Sequence, residues 1–297
     1  MKILVAGAQG QLARALAEAA QRHGSHQVAV LGRPRLDLLD HVTIAKAMAD
    51  VEPGLVVNAA AYTAVDKAES DRATAFAVNR DGAGALAAAA RASDIPIIHV
   101  STDYVFDGRK IGAYVETDAT NPLGVYAKSK LEGEQAVAAA NPRHVILRTA
   151  WLYAPSGANF LCTMLRLARE RPELRVVADQ HGQPTYVPHL AEALLAIADA
   201  LAGKQRQDIW GTYHIAAGGE TTWHGFAGAI VRAGARLGTP QVPVIPITTA
   251  EYPTLAARPA NSRLDCSKLE RTFGVRLPHW QQGLAACIAE LEKPAAS

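Results

Sequence analysis

In the string "VYAKSK", Tyr126 and Lys130 lie four residues apart. On a helix that spacing puts both on one face, while Lys128 points elsewhere. An ammonium near a phenol favours the phenolate and lowers its pKa. The tyrosine then becomes a workable proton donor to a carbonyl oxygen near neutral pH. Reducing a ketone takes a hydride on carbon and a proton on oxygen. A nicotinamide would bring the first and Tyr126 the second, with Lys130 also able to bond the nicotinamide ribose. Taken alone, the same spacing is common on surface helices. A second string, "HVSTDYVFDG", places Ser101 and Thr102 at the end of an apolar run. Strand C-termini are where ligands sit in open α/β sheets. A hydroxyl there can bond a substrate carbonyl and steady its developing negative charge. The two residues could equally cap a turn.

A third string, "KILVAGAQGQLARAL", runs from an apolar stretch through Gly7 and Gly10 to Ala13. A glycine at position 7 permits a sharp turn. A bare Gly10 would let the backbone approach a pyrophosphate, facing the N–H groups of Gln11 and Leu12 at a helix start. Ala13 stands where a third glycine is usual, and a methyl group often fits that helix–strand contact. The pattern by itself also suits a plain strand–helix turn. The next apolar run ends in Gly32-Arg33 rather than in an acidic residue. An arginine suits a ribose 2′-phosphate, which points to NADP(H), unless Arg33 is only a solvated surface residue. Asp37 and Leu38 follow closely enough to border an adenine.

These residues need a scaffold, and the pattern of the first half predicts one. Strands are expected at 2–7, 26–32, 54–60, 96–102 and 144–151, with helices at 11–24, 41–53, 71–93 and 124–141. The strand runs are nearly continuous in Val, Ile and Leu, as in strands buried on both faces of a parallel sheet. Strand–helix alternation of this kind implies an α/β, doubly wound parallel sheet of the Rossmann type. We expect residues 1–150 to form an NADP(H)-binding domain. Residues 151–297 are expected to form a smaller, mainly substrate-binding region, with some segments returning to the first domain. In that second part, 158–174, 187–203, 221–238 and 279–293 read as helices. "LRVVAD" and "YHIAAG" read as strands, and the four prolines of 241–265 exclude a regular helix there.

Composition narrows the partners. A net charge of +2, with 20% charged and 49% hydrophobic residues, fits an ordinary globular protein. It forecasts neither a nucleic-acid nor a membrane partner. Three distant cysteines without a CxxC suggest no disulfide framework and a reducing, cytoplasmic setting. Ten histidines without an HExxH pattern give no support for a catalytic metal. No apolar run reaches the roughly 18 residues that span a bilayer. The start, "MKILVAGA", is too short to be a secretion signal.

Together the strings "GAQGQLAR", "VVNAAAYTAVDKAE", "STDYVFDG", "VYAKSKLEGE", "LRTAWLY", "DQHGQPT" and "RPANSRLD" resemble the extended short-chain dehydrogenase/reductase superfamily. Within it, the chain is most similar to its reductases of dTDP-linked keto sugars. The resemblance implies NADPH-dependent reduction of the 4-keto group of dTDP-4-dehydro-L-rhamnose, with NADH as the alternative cofactor. It implies Thr102, Tyr126 and Lys130 as the catalytic trio. It puts Gly7, Gly10, Gln11 and Leu12 at the pyrophosphate and Arg33, Asp37 and Leu38 towards the adenosine. Asn58, Ala59, Ala60 and Ala61 would flank the cofactor. Thr63, Val65, Asp103, Tyr104 and Trp151 would line the sugar-nucleotide pocket, where Trp151 could stack on the ligand or be a buried structural ring. Arg258 and Asn261 would reach the diphosphate or the base. Related dehydratases carry Asp-Glu after the threonine, whereas here Asp103 is followed by Tyr104, which disfavours elimination. Some bacterial relatives hold magnesium with glutamates at a dimer interface. Ala15 and His189 stand at two of those positions and only Glu290 remains, so a monomer or a metal-free homodimer is expected. Two other functions fit the same strings. One is reduction of another nucleotide-linked keto sugar, and the other is a non-catalytic NADP-binding regulatory subunit, against which the intact trio speaks.

Overall fold

The apolar runs of the first half become β1 (Lys2–Ala6), β2 (Gln27–Leu31), β3 (Leu55–Asn58), β4 (Ile97–Thr102) and β5 (His144–Thr149). They are seen in a computed structural model, which describes residues 1–203 and 207–293. Between them run α1 (Gln11–His23), α2 (His41–Val51), α3 (Val65–Ala68), α4 (Arg72–Phe76), α5 (Ala83–Ala92) and α6 (Val125–Ala140). The remainder supplies short strands: β6 (Leu152–Tyr153), β7 (Leu174–Val177), β8 (His181–Gly182), β9 (Thr185–Tyr186), β10 (Gly211–His214), β11 (Thr221–Thr222) and β12 (Val244–Ile247). Its helices are α7 (Phe160–Glu170), α8 (Val187–Gly203), α9 (Trp223–Gly234), α10 (Ser267–Phe273) and α11 (Trp280–Leu291).

The main sheet has the order β2-β1-β3-β4-β5-β10, all parallel. Alternate residues of each strand face opposite helical layers, and both sets are apolar. Ile3, Val5 and Val57 pack with Leu16 of α1 and Leu190 and Leu194 of α8. Leu4 and Val56 pack with Ile44 of α2 and Leu86 of α5. This double burial explains why the strand runs lack a polar alternation. A separate apolar cluster joins α7, α9 and α11 through Leu161, Leu165, Phe226, Ile230 and Leu284.

Strand order reverses between β1 and β3, and the glycine turn sits at that point. Gly7 has φ +113°, and a Cβ on it would lie 3.0 Å from the Ala59 and Ala60 backbone. Only glycine combines that backbone with that approach.

Two departures from the sequence pattern have local causes. The helix expected at 71–93 is interrupted by a π-helical segment at Ala77–Gly82. Asn79 lies on this wider turn. Its amide nitrogen donates to the Tyr62 carbonyl (3.1 Å) and the Ser129 hydroxyl (2.9 Å), and its oxygen accepts the Tyr62 N–H (2.8 Å). The widened turn therefore ties the loop after β3 to α6. In the proline-rich stretch, β12 runs through Pro246 and pairs only with β7. A strand paired on one side tolerates a missing N–H.

Helix α6 carries Tyr126 and Lys130, and Gly133 sets how closely it approaches the π-helical segment. A Cβ at Gly133 would fall 2.0 Å from the Asn79 carbonyl oxygen. Gly133→Ala should therefore destabilise the fold by about 1–3 kcal/mol through overpacking. Denaturant unfolding checks this, and an unchanged midpoint would show that α6 can move away freely.

Candidate active site

The C-terminal ends of β1, β3, β4 and β5 open into one cleft of about 600 Å³. Its floor at β1 is the glycine turn. The Gly7 carbonyl accepts the Gly10 N–H at 2.8 Å, and Gly10 precedes α1 without any side-chain cap. The first N–H groups of a helix have no intrahelical partner, so Gln11 and Leu12 present positive N–H groups to the cleft that both line. A Cβ at Gly10 would stand 3.2 Å from the Gly7 carbonyl oxygen, so the cradle depends on its absence. This donor set fits a dinucleotide pyrophosphate. The Gln11 side chain also donates to the Ala158 carbonyl (3.2 Å), which brings the 155–159 loop over the turn.

Thr102, Tyr126 and Lys130 line the same cleft, with Ala59, Ala61, Thr63 and Val65 on its β3 side. The Thr102 hydroxyl donates to Asp103 Oδ1 (2.9 Å) and accepts the Tyr104 N–H (3.2 Å). Tyr104 packs edge-on to Tyr126, with centroids 6.1 Å apart. Lys130 Nζ donates to the Val100 carbonyl at 2.8 Å.

The expectation that Lys130 lowers the Tyr126 pKa is not met. Burial pushes the Tyr126 hydroxyl up to about 12, with a further rise from the Asp103 charge and a partial offset from Thr102. The lysine does not counter this because it is buried as well. Burial brings its amine down to about 8, against the pull of Glu134. Desolvation is the largest cause for both groups.

Behind the trio lies a buried ion pair. Glu134 accepts two bonds from Arg148 Nε (3.0 and 3.2 Å), one from its Nη2 (2.7 Å) and one from the Ser101 hydroxyl (2.5 Å). It is 4% exposed.

Other expected residues lie in varied surroundings. Arg33 is exposed beyond β2, Asp37 caps the Leu39 N–H with its carboxylate, and Leu38 is buried against Gly82. Arg258 donates to Asp66 (2.7 Å), next to Val65. Asn261 gives both amide hydrogens to the Lys110 and Gly112 carbonyls (2.8 and 2.7 Å), so it joins two loops and does not line the cleft. Trp151 lines the cleft, but one of its faces is covered by Trp223, stacked at 3.5 Å and 7°. Its indole N–H donates to Ser262 (3.1 Å), and Gly182 packs against the ring. Sequence patterns did not reveal Trp223 as a cleft residue. "TTWHGF" signals only the helix start that Thr222 caps. Ala15 is buried, and Glu290 accepts the Tyr186 hydroxyl (2.6 Å). Among the described residues no group of three His, Cys, Asp or Glu side chains could hold a metal.

Asp103 gives a pH test of this site. It is 3% exposed, and burial pushes its carboxyl up to about 7, opposed by the hydroxyls of Ser262 and Thr102. Between its ordinary value and 7, folding takes up a proton here. The stabilising contribution of Asp103 is therefore full below about pH 4 and lost as pH rises to about 7. Asp103→Asn removes that loss. Its Tm relative to the parent should be higher at about pH 8 than at about pH 5, by the equivalent of roughly 1 kcal/mol or more. Equal differences at both pH values would contradict a raised carboxyl.

The model for the RmlD substrate binding domain matches residues 1–293 of the chain. The dTDP-4-dehydrorhamnose reductase of Sinorhizobium fredii is 50% identical over 282 residues, covering 95% of each chain. The crystal structure of a dTDP-4-dehydrorhamnose reductase from Clostridium acetobutylicum superposes with a TM-score of 0.91 at 38% identity, over 99% of this chain and 100% of that one. That of the Bacillus anthracis dTDP-4-dehydrorhamnose reductase, solved in complex with NADP, gives 0.88 at 33% identity over 97% and 99%. The Rossmann-like parallel sheet thus agrees with the comparisons, and the chain belongs to the RmlD substrate-binding family, that of the dTDP-4-dehydrorhamnose reductases.

Proposed function

We propose that this chain reduces the 4-keto group of dTDP-4-dehydro-L-rhamnose to dTDP-L-rhamnose with NADPH. The observation that carries this is one cleft holding Thr102, Tyr126 and Lys130 beside an uncapped helix start. The NADP in the Bacillus anthracis relative supports the same cofactor. Gly7, Gly10, Gln11 and Leu12 would hold its pyrophosphate, Arg33 its 2′-phosphate, and Asp37 and Leu38 would flank the adenosine. Ala59, Ala60 and Ala61 would border its nicotinamide end. When bound, the dinucleotide supplies the hydride.

The chain's own residues supply the rest. Tyr126, held protonated by burial, gives its proton to the oxygen that becomes an alkoxide. Thr102 orients that oxygen. Thr63, Val65, Asp103, Tyr104 and Trp151 shape the sugar pocket. Arg258 would meet the diphosphate by exchanging Asp66 for the ligand. Asn261 supports the loop that carries Arg258. Residues 1–150 serve the cofactor and most of 151–297 the sugar. The reaction takes place in the cytoplasm, and a monomer or a homodimer without bridging metal suffices for it.

The direct assay mixes purified protein, NADPH and dTDP-4-dehydro-L-rhamnose and follows the reduced-nicotinamide absorbance, which should fall. No fall would remove this function. Tyr126→Phe should lower turnover by roughly a hundredfold or more while NADPH affinity is kept, as for loss of a general acid. Unchanged turnover would take Tyr126 out of its role.

A further inference from the structure

Beneath the catalytic lysine runs a buried polar column that the proposed reaction does not use. Lys130 is 2% exposed, and His99 and Asn58 are fully buried. Lys130 Nζ donates to the Val100 carbonyl (2.8 Å) and stands 3.4 Å from His99 Nε2. His99 Nδ1 lies 3.1 Å from Asn58 Nδ2, and Asn58 Oδ1 is 3.2 Å from the Ala60 N–H.

Donors and acceptors along this column can be fixed from its outer end. The Ala60 N–H can only donate, so it selects the Asn58 oxygen and turns the NH₂ group to His99. An NH₂ group can only donate here, so His99 Nδ1 must carry a lone pair. A neutral imidazole with a bare Nδ1 has its hydrogen on Nε2. That hydrogen points at Lys130 Nζ. An ammonium has no lone pair to receive it, whereas a neutral amine does. The amine then keeps one hydrogen for the Val100 carbonyl and one for the cleft. In this state each of these contacts pairs a donor with an acceptor.

A charged imidazole would not rescue the ammonium. Burial, with Lys130 and His144 nearby, holds His99 well below its ordinary pKa. Burial acts on Lys130 in the same direction. Glu134, one turn along α6, favours the charged lysine, but its oxygens are engaged by Arg148 and Ser101.

We propose that Asn58 and His99 are positioning residues that hold the Nε2–H tautomer against Lys130 and so favour its neutral amine over the ammonium in the cofactor-free protein. To charge Lys130, the column must reverse. The imidazole hydrogen moves to Nδ1 and the Asn58 amide turns over, which leaves the Ala60 N–H facing an NH₂ group. The catalytic meaning of this lock rests on the reductase function proposed above. The protonation pattern does not, and it can be measured without turnover.

The test is NMR of the whole protein labelled with ¹⁵N-histidine and ¹³C-lysine, without cofactor. His99 is assigned by its loss in His99→Gln, and Lys130 by its loss in Lys130→Arg. Long-range ¹H–¹⁵N correlations should show His99 neutral with its hydrogen on Nε2 at about pH 9, above the Lys130 midpoint. Asn58→Asp replaces the NH₂ group by an acceptor. It should move the hydrogen to Nδ1 and raise the Lys130 titration midpoint by about one unit or more. An Nδ1–H tautomer or an imidazolium in the parent at about pH 9 overturns the proposal, even if Asn58→Asp does not fold. A turned imidazole with an unmoved Lys130 midpoint overturns it too. A protein that passes this test but fails to oxidise NADPH would refute only the reductase function.

Discussion

One carboxylate, that of Glu134, ties together the three elements on which the site depends. It sits on α6, one turn beyond Lys130 and two beyond Tyr126. It binds Arg148 on β5 and Ser101 on β4, which are paired in register across the sheet. Ser101 is the neighbour of Thr102. A single buried ion pair therefore sets the height of α6 against the strand ends and brings Thr102, Tyr126 and Lys130 to one cleft. Buried charges of this kind tolerate no loss of a partner, because the remaining charge stays desolvated at a cost of roughly 3–5 kcal/mol. Gly133, beside Glu134, lets α6 lie close enough to the π-helical turn for the same purpose.

The same burial that fixes the site also sets its chemistry. Tyr126, Lys130, Asp103 and His99 are all shifted towards their neutral forms, with desolvation as the largest cause in each case. The cleft therefore gathers hydroxyls, an amine and a carboxyl that can exchange protons with little change in charge. Such a site suits the protonation of a carbonyl oxygen. It offers no second carboxylate after Asp103 for eliminating water, since Tyr104 fills that position and packs on Tyr126.

Much of this arrangement was legible in the chain because it is local. Gly7 marks a turn whose backbone only glycine permits, and unbroken Val, Ile and Leu runs mark strands covered on both faces. Tyr126 and Lys130 are one helical turn apart whatever surrounds them. What escaped depends on contacts between distant segments. The direction of the Tyr126 shift follows from how deeply α6 is buried, which spacing does not disclose. Trp223 meets Trp151 only after the chain folds back, so "TTWHGF" shows a cap and not a wall of the cleft. Asn261 sits in a stretch resembling the ligand-binding loops of the superfamily, yet its amide is spent on Lys110 and Gly112. The π-helical turn at Asn79 likewise answers to Tyr62 and Ser129, not to its own sequence.

As proposed, this cleft carries a hydride to C4 of a nucleotide-linked keto sugar while Tyr126 protonates its oxygen. The most direct measurement uses NADPH carrying deuterium at the transferable position of the nicotinamide, with dTDP-4-dehydro-L-rhamnose as acceptor and NMR of the product. Deuterium should then be found bound at C4 of the sugar. Deuterium at another carbon, or a consumed sugar without deuterium, would contradict it.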